Sequence, residues 1–167
     1  GFENRDNKAF PTLGMETNVH LGYKSNINDS NGFGYLIPSI AFDYRLTSNG
    51  QLVLATKLGG RINIGDDFEF YQGANLGANN GLRGYRNERF TGKSSFVQST
   101  DLRLNLRKVK TSLLPFNIGV YGGLDYGRVW ADGEDSDKWN NSVGGGLFFN
   151  GADMIVGNIS AFSGNDG

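Results

Sequence analysis

Apolar and polar residues alternate with period two along most of this chain, and stretches with helical spacing are hard to find. The pattern is cleanest between Thr100 and Arg107, where Leu102, Leu104 and Leu106 fall on one side and Asp101, Arg103, Asn105 and Arg107 on the other. In a strand those two sets point to opposite faces of the sheet. Leu52, Leu54, Leu58, Ile62 and Ile64 likewise oppose Lys57, Arg61 and Asn63. Met15, Val19, Leu21 and Tyr23 oppose Glu16, Asn18, His20 and Lys24. Leu36, Ile40, Phe42, Tyr44 and Leu46 oppose Ser39, Asp43 and Arg45, while Ile118, Val120, Leu124 and Tyr126 oppose Gly119, Tyr121, Asp125 and Gly127. Two Gly-rich segments, 141–149 and 154–162, are less regular, and the opening residues read as the tail of one more strand. The expectation is an all-β, antiparallel fold of about eight strands.

The connections between these strands alternate in length. Short turns fall at Thr47-Ser48-Asn49-Gly50, around Ser112 to Phe116, and at Asn150-Gly151-Ala152-Asp153. Longer polar loops run from Asn26 to Gly34, Gly65 to Lys93 and Ala131 to Asn140. Short turns on one side and long loops on the other are the habit of outer-membrane barrels. Alternation alone does not say which face is inside, because a soluble β-sandwich or lipocalin-like barrel would bury the apolar face and expose the charged one. Tyr23, Tyr35, Tyr44, Phe116, Trp130, Trp139 and Phe149 lie near strand ends, where an interfacial aromatic girdle would place them.

Composition narrows the choice. Only 38% of the residues are hydrophobic, aromatics make up 13%, and 26 of the 167 residues are glycine. No run approaches the roughly 18 to 20 apolar residues of a membrane helix, but a barrel whose strands face lipid on one side and water on the other tolerates this composition. A formal net charge of −1 gives no electrostatic case for nucleic acid. Cysteine is absent, which excludes disulfides, thiolate metal sites and thiol catalysis. Gly1-Phe2-Glu3-Asn4-Arg5 has neither the basic start nor the apolar stretch of a signal peptide, and an exported protein would have lost one.

Strand direction raises a further expectation. With the short turns on the periplasmic side, both ends of the chain lie outside, and Ser163-Gly164-Asn165-Asp166-Gly167 reads as the start of an outer loop. Single-chain bacterial barrels close with an even strand number and leave no free edge. At least one closing strand is therefore expected after Gly167, and further sequence before Gly1.

The longest loop, 65–93, is too long to be filler. It holds Phe70-Tyr71-Gln72-Gly73, then Leu82-Arg83-Gly84-Tyr85, then Arg89-Phe90-Thr91-Gly92, and is followed by Asp101-Leu102-Arg103. Earlier come Arg5-Asp6-Asn7, Phe10-Pro11-Thr12 and Gly14. Later come Leu124-Asp125-Tyr126-Gly127-Arg128-Val129-Trp130, then Trp139 with Gly144-Gly145-Gly146-Leu147. In this order the blocks resemble the bacterial surface antigen superfamily of BamA-, TamA- and FhaC-type barrels, in which a loop with a V/L-R-G-F/Y tip folds into the barrel. The resemblance covers nearly the whole chain.

It implies the C-terminal half of a transmembrane β-barrel in the bacterial outer membrane, without its final strand. It also implies a single domain over 1–167, a lumen-inserted loop over 65–93, and no POTRA domain within these residues. The implied function is insertion or secretion of proteins across the outer membrane. Implied partners are outer-membrane lipid and unfolded or nascent outer-membrane polypeptides; a second copy of the chain, as a homo-oligomer, belongs to the small-barrel reading below. Two other readings stand beside it: a small barrel that self-associates or handles lipid, and a membrane anchor for a fused passenger. No enzyme activity, cofactor or metal is expected.

The loop tip, Leu82, Arg83, Gly84 and Tyr85, carries the candidate site. By alternation Asp125 shares the polar face with Gly123 and Gly127, whose missing side chains let a loop approach the wall. The resemblance places Arg83 in the lumen facing Asp125, and a guanidinium fork suits a carboxylate. Losing one partner of a shielded pair costs roughly 3–5 kcal/mol, but about 1 kcal/mol or less in a wet lumen. Gly84 is assigned to the tight tip geometry and Tyr85 to a contact with the wall. Lys57, Arg61, Asp101 and Arg103 are expected to face the lumen as well. His20, the only histidine, reads as a hydrated polar-face residue. Asp132, Glu134, Asp135 and Asp137 lack the ordered spacing of a calcium loop, and Asp66, Asp67 and Glu69 read as solvated. Gly144 to Gly146 has no following helix to bind phosphate.

Overall fold

Eight strands pair, each with its neighbour, in one antiparallel sheet. They are β1 (Phe2–Arg5), β2 (Gly14–Ser25), β3 (Gly32–Arg45), β4 (Leu52–Ile64), β7 (Ser94–Val109), β8 (Phe116–Trp130), β9 (Asn140–Gly151) and β10 (Ile155–Gly164). Between β4 and β7 the long loop carries its own two-stranded ribbon, β5 (Ala74–Leu76) with β6 (Phe90–Gly92). The computed structural model describes residues 1–8, 10–25, 32–65, 69–109, 116–131, 138–151 and 155–164. The acidic stretch 132–137, Asp66, Asp67, most of the turn at 112–116, and residues 26–31 lie outside the described residues. Among those described, no helix is long and apolar enough to cross a membrane, which says nothing about strands.

The all-β antiparallel expectation holds, and the faces are sorted as alternation requires. What alternation left open is which face points out. Leu21, Tyr23, Tyr44, Val143 and Ile159 are exposed, Ile159 at 79% and Leu21 at 77%. Asp43, Asn63, Asp125, Ser142 and Asn150, from the opposite face, are buried. A soluble barrel would sort them the other way. The sheet also curls toward its polar face. Phe10, in the turn between β1 and β2, stacks on Phe148 of β9 with ring centroids 4.8 Å apart, although five strands lie between that turn and β9 in the sheet order. The guanidinium of Arg103 lies 5.5 Å from the Phe10 ring, on the same concave side. β1 and β10 do not pair, so the described sheet is an open wall rather than a closed ring.

Several boundaries differ from the sequence reading. β7 begins at Ser94, six residues before Thr100, because Phe96 and Val97 continue the alternation and pair with Arg128 and Gly127. β3 begins at Gly32, inside the stretch read as loop. The β5–β6 ribbon was not expected, because three-residue strands give no periodic signal. Tyr35 does not belong to an outer girdle. It falls on the inner face, where Arg61 lies 5.1 Å and Lys24 5.9 Å from its ring. Pro38 occupies the middle of β3, an inner strand, a position proline rarely takes because it has no N–H to donate. The β3–β4 pairing skips Ile37 and Pro38 and resumes at Ser39 opposite Gly59.

Candidate functional site

The loop's own residues build the tip. Gly81 takes a left-handed φ of +98°, which ends the 3-10 turn Ala78–Asn80 and turns the chain toward the wall. The Leu82 N–H donates to the Gly77 carbonyl at 2.9 Å, and the Tyr85 N–H donates to the Leu82 carbonyl at 3.2 Å, closing a turn over Leu82–Tyr85. Leu76, Leu82 and Tyr85 are buried together, with Phe90, Val97 and Val129 packed against them. Tyr85 and Phe90 meet edge to face at 5.2 Å. Full burial of a large apolar side chain stabilises by about 1.5–3 kcal/mol, so this small core seats the loop before any charge is counted.

Arg83 then reaches β7, β8 and β10. Its backbone N–H donates to Asp125 Oδ2 at 2.9 Å, and its Nη2 donates to Asp125 Oδ1 at 2.6 Å and to Asp101 Oδ1 at 2.7 Å. Nε lies 3.1 Å from each Asp125 oxygen. The Ser142 hydroxyl gives Asp125 Oδ2 a further bond at 2.8 Å. Phe162 of β10 lies under the guanidinium, 4.0 Å from its centre. The Asp125 side chain is wholly buried, while that of Arg83 keeps 24% of its exposure. Burial by itself would lower the Arg83 pKa, but the hydrogen bonds and charges of Asp125 and Asp101 outweigh it and hold the group above its ordinary value. The Arg83 guanidinium therefore stays charged at any accessible pH.

Small residues make the close approach possible. A side chain at Gly123 would put its Cβ 2.7 Å from Arg83 Nη2 and 2.5 Å from Asp101 Oδ1. At Gly127 it would press on Leu76 and Leu82. Gly84 has a different role from the one assigned by sequence. Gly81, not Gly84, carries the left-handed φ at the tip. Gly84 instead lies where a Cβ would collide with the backbone of Ser163 and Gly164 and with Ser142. The Tyr85 hydroxyl donates to the Asn141 carbonyl at 3.0 Å, so the tip touches β9 and β10 as well as β8.

The remaining candidates fall into separate groups. Arg61 stays beside the loop rather than the tip, its Nη2 donating to the Gln72 carbonyl at 2.9 Å. Lys57 faces a cavity of about 520 Å³ beneath the loop. Arg103 points away from Arg83, toward Asp43 at 3.5 Å and the Pro11 carbonyl at 3.5 Å. Ser142, Phe162 and the Ser99 hydroxyl, which donates to the Gly81 carbonyl at 3.0 Å, were missed. Register could have found the serines, since Asp125 pairs with Ser99 on one side and Ser142 on the other. Phe162 offered no such signal.

The Asp6 turn explains a second sequence block. The Asp6 carboxylate accepts from the Thr12 N–H at 2.9 Å, the Thr12 hydroxyl at 2.5 Å, the Leu13 N–H at 3.0 Å and Arg45 Nη2 at 2.8 Å. Burial pushes that carboxyl up, but these bonds outweigh it and hold it far below the usual carboxylate range. Gly14, at φ +135°, returns the chain into β2.

The arrangement can fix a loop across β7 to β10. An antiparallel wall, apolar outside and polar inside, with an internal loop pinned by one arginine, is the architecture of a β-barrel with an occupied interior. No family model and no curated protein matches the chain. Among solved structures the chain is similar to BamA from Haemophilus ducreyi lacking POTRA domains 1–3, with a TM-score of 0.71 and 16% identity. The match covers 96% of this chain and 40% of that one, so the chain spans about two fifths of the length of that structure. At that identity the likeness shows a BamA-like barrel fold.

Proposed function

We propose that this chain is wall and internal loop of a single bacterial outer-membrane β-barrel domain, one related to the polypeptide insertases and translocases of the surface antigen superfamily. The observation that carries the reading is Arg83 held on buried Asp125, on the concave polar face of a sheet whose apolar face points out. The strands of the eight-stranded sheet, apart from β1, run 10 to 16 residues, enough to cross a hydrocarbon core that tilted strands span in about 9 to 11. In this reading 65–93 lies in the lumen and braces the wall from within. Unfolded or nascent outer-membrane polypeptides are the substrates, and outer-membrane lipid surrounds the outer face.

Depletion of the protein in cells, followed by quantitative profiling of outer-membrane barrels, tests it. Barrel levels should fall; normal levels with a structurally intact outer membrane would overturn the insertase reading.

A further inference from the structure

Four Asn-Gly pairs occur in the chain, at 31–32, 49–50, 80–81 and 150–151. The pairing matters chemically. With no Cβ on the second residue to crowd it, the glycine nitrogen can reach the carboxamide carbon of the asparagine and close a five-membered ring. A fold suppresses that reaction by holding the carboxamide, burying it or fixing the backbone around it. Asn31 lies outside the described residues.

The other three asparagines are held unequally. Asn150 is buried within β9, in register with Asn117 on one side and Val156 on the other. Asn49 has its carboxamide occupied at both ends: Oδ1 accepts from the Gln51 N–H at 3.0 Å, and Nδ2 donates to Gln51 Oε1 at 3.4 Å. The Gly50 N–H is also held, donating to the Thr47 carbonyl at 2.9 Å. Asn80 is exposed, and among the described residues its side chain makes no hydrogen bond. It is the last residue of a single 3-10 turn, a form whose hydrogen-bond geometry is poor and which opens easily at its end.

We propose that Asn80–Gly81 is a deamidation site whose isoaspartate product releases the loop tip from the wall. The Gly81 nitrogen gives its proton to water or hydroxide and bonds to Asn80 Cγ. The Cγ–Nδ2 bond breaks, and Nδ2 leaves as ammonia. Water then opens the ring, with no change of oxidation state. Attack on the Cγ carbonyl returns a normal aspartate, and attack on the main-chain carbonyl routes the backbone through Cβ and Cγ as isoaspartate. Isoaspartate lengthens the backbone by one methylene just before the residue that turns the chain toward the wall. Gly81 fits there so closely that an added Cβ would lie 2.8 Å from Val97 Cγ2, and its carbonyl takes the Ser99 hydroxyl at 3.0 Å. The bond from the Leu82 N–H to the Gly77 carbonyl spans the same residues. A lengthened chain breaks these contacts, and Arg83 loses its approach to Asp125. Normal aspartate keeps the chain length, and its charge lies beside the cavity that Asn80 and Lys57 both line. Nothing in this depends on the outer face lying in lipid.

The test ages the folded full chain in detergent micelles at mildly alkaline pH and locates aspartate and isoaspartate by peptide-resolved mass spectrometry. Asn80 should convert about tenfold faster than Asn49, whose hydrogen bonds have to break first. In urea, where both are plain Asn-Gly pairs, the difference should vanish. Proteolysis within 82–90 should rise in step with isoaspartate at position 80. Asn80→Gln, which would have to close a larger ring, should stay at the unaged level after the same treatment. Unaged Asn80→Asp should be cleaved no faster than unaged wild type, which separates the longer backbone from the new charge. Equal conversion of Asn80 and Asn49 in the folded chain would overturn the site. Cleavage that stays flat while isoaspartate accumulates, or that rises equally in aged Asn80→Gln, would overturn the release of the tip.

Discussion

Two arginine–carboxylate clusters fix connections to this wall, and the same chemistry carries different weight in each. Arg83 meets Asp125 and Asp101 beneath the loop, with the Asp125 side chain fully buried. Arg45 meets Asp6 at the rim, where the side chains keep 39% and 26% of their exposure. A buried carboxylate depends on its cation, because removing one partner leaves a charge that water cannot reach. A rim carboxylate falls back on solvent and on its backbone donors. The loop tip is therefore specified by charge, whereas the turn is specified mainly by the amides of Thr12 and Leu13.

The sharpest break of that comparison is Arg83→Met, which keeps the bulk and removes the charge. It should destabilise by about 3–5 kcal/mol in denaturant unfolding, and adding Asp125→Asn should recover much of the loss. A double-mutant cycle without coupling would place both clusters in the same weak class. Next in size is Gly84→Ala, which drives a methyl into β10 and should cost about 1–3 kcal/mol. Increased proteolysis within 82–90 would show the tip lifting from the wall. Asp101→Asn should cost about 1 kcal/mol or less, since Asp101 is partly exposed and Asp125 keeps Arg83.

Smallest is Arg45→Gln, expected within about 0.5 kcal/mol. Asp6 gives the turn a pH signature of definite sign. Its folded pKa is depressed, so its contribution is complete above the ordinary carboxylate value of about 4. It erodes below that pH and is gone once the pH falls through the lowered folded value. The Thr12 and Leu13 amide resonances should hold their folded positions at pH 3. Titration of those resonances at the ordinary carboxylate value would contradict the bonding network.

The two clusters were also unequally legible in sequence. Arg83 and Asp125 stood in ordered blocks, and alternation put Asp125 on the polar face, so the pair could be named without coordinates. Asp101 was placed on the same face but not joined to Arg83, because its reach depends on the register that sets it beside Gly123. Ser142 lies in a strand whose glycines blur the period. Phe162 reaches Arg83 only because the sheet curls, and curvature leaves no trace in a period-two pattern. The same limit hid which face points out: alternation sorts residues into two sets and is silent on which set meets the surroundings. Pro38 broke the strand rule in plain view, but its consequence, the interrupted pairing with β4, requires the partner strand.

The stack of Phe10 on Phe148 carries a consequence for the order of folding. Hairpins between neighbouring strands can form from local sequence, one after another. This contact joins residues near opposite ends of the chain, so it forms only after the intervening strands have paired and curled. Contacts of such sequence separation delay folding. A probe at Phe10 or Phe148 should therefore report the last kinetic phase of assembly, well after strand signals have saturated.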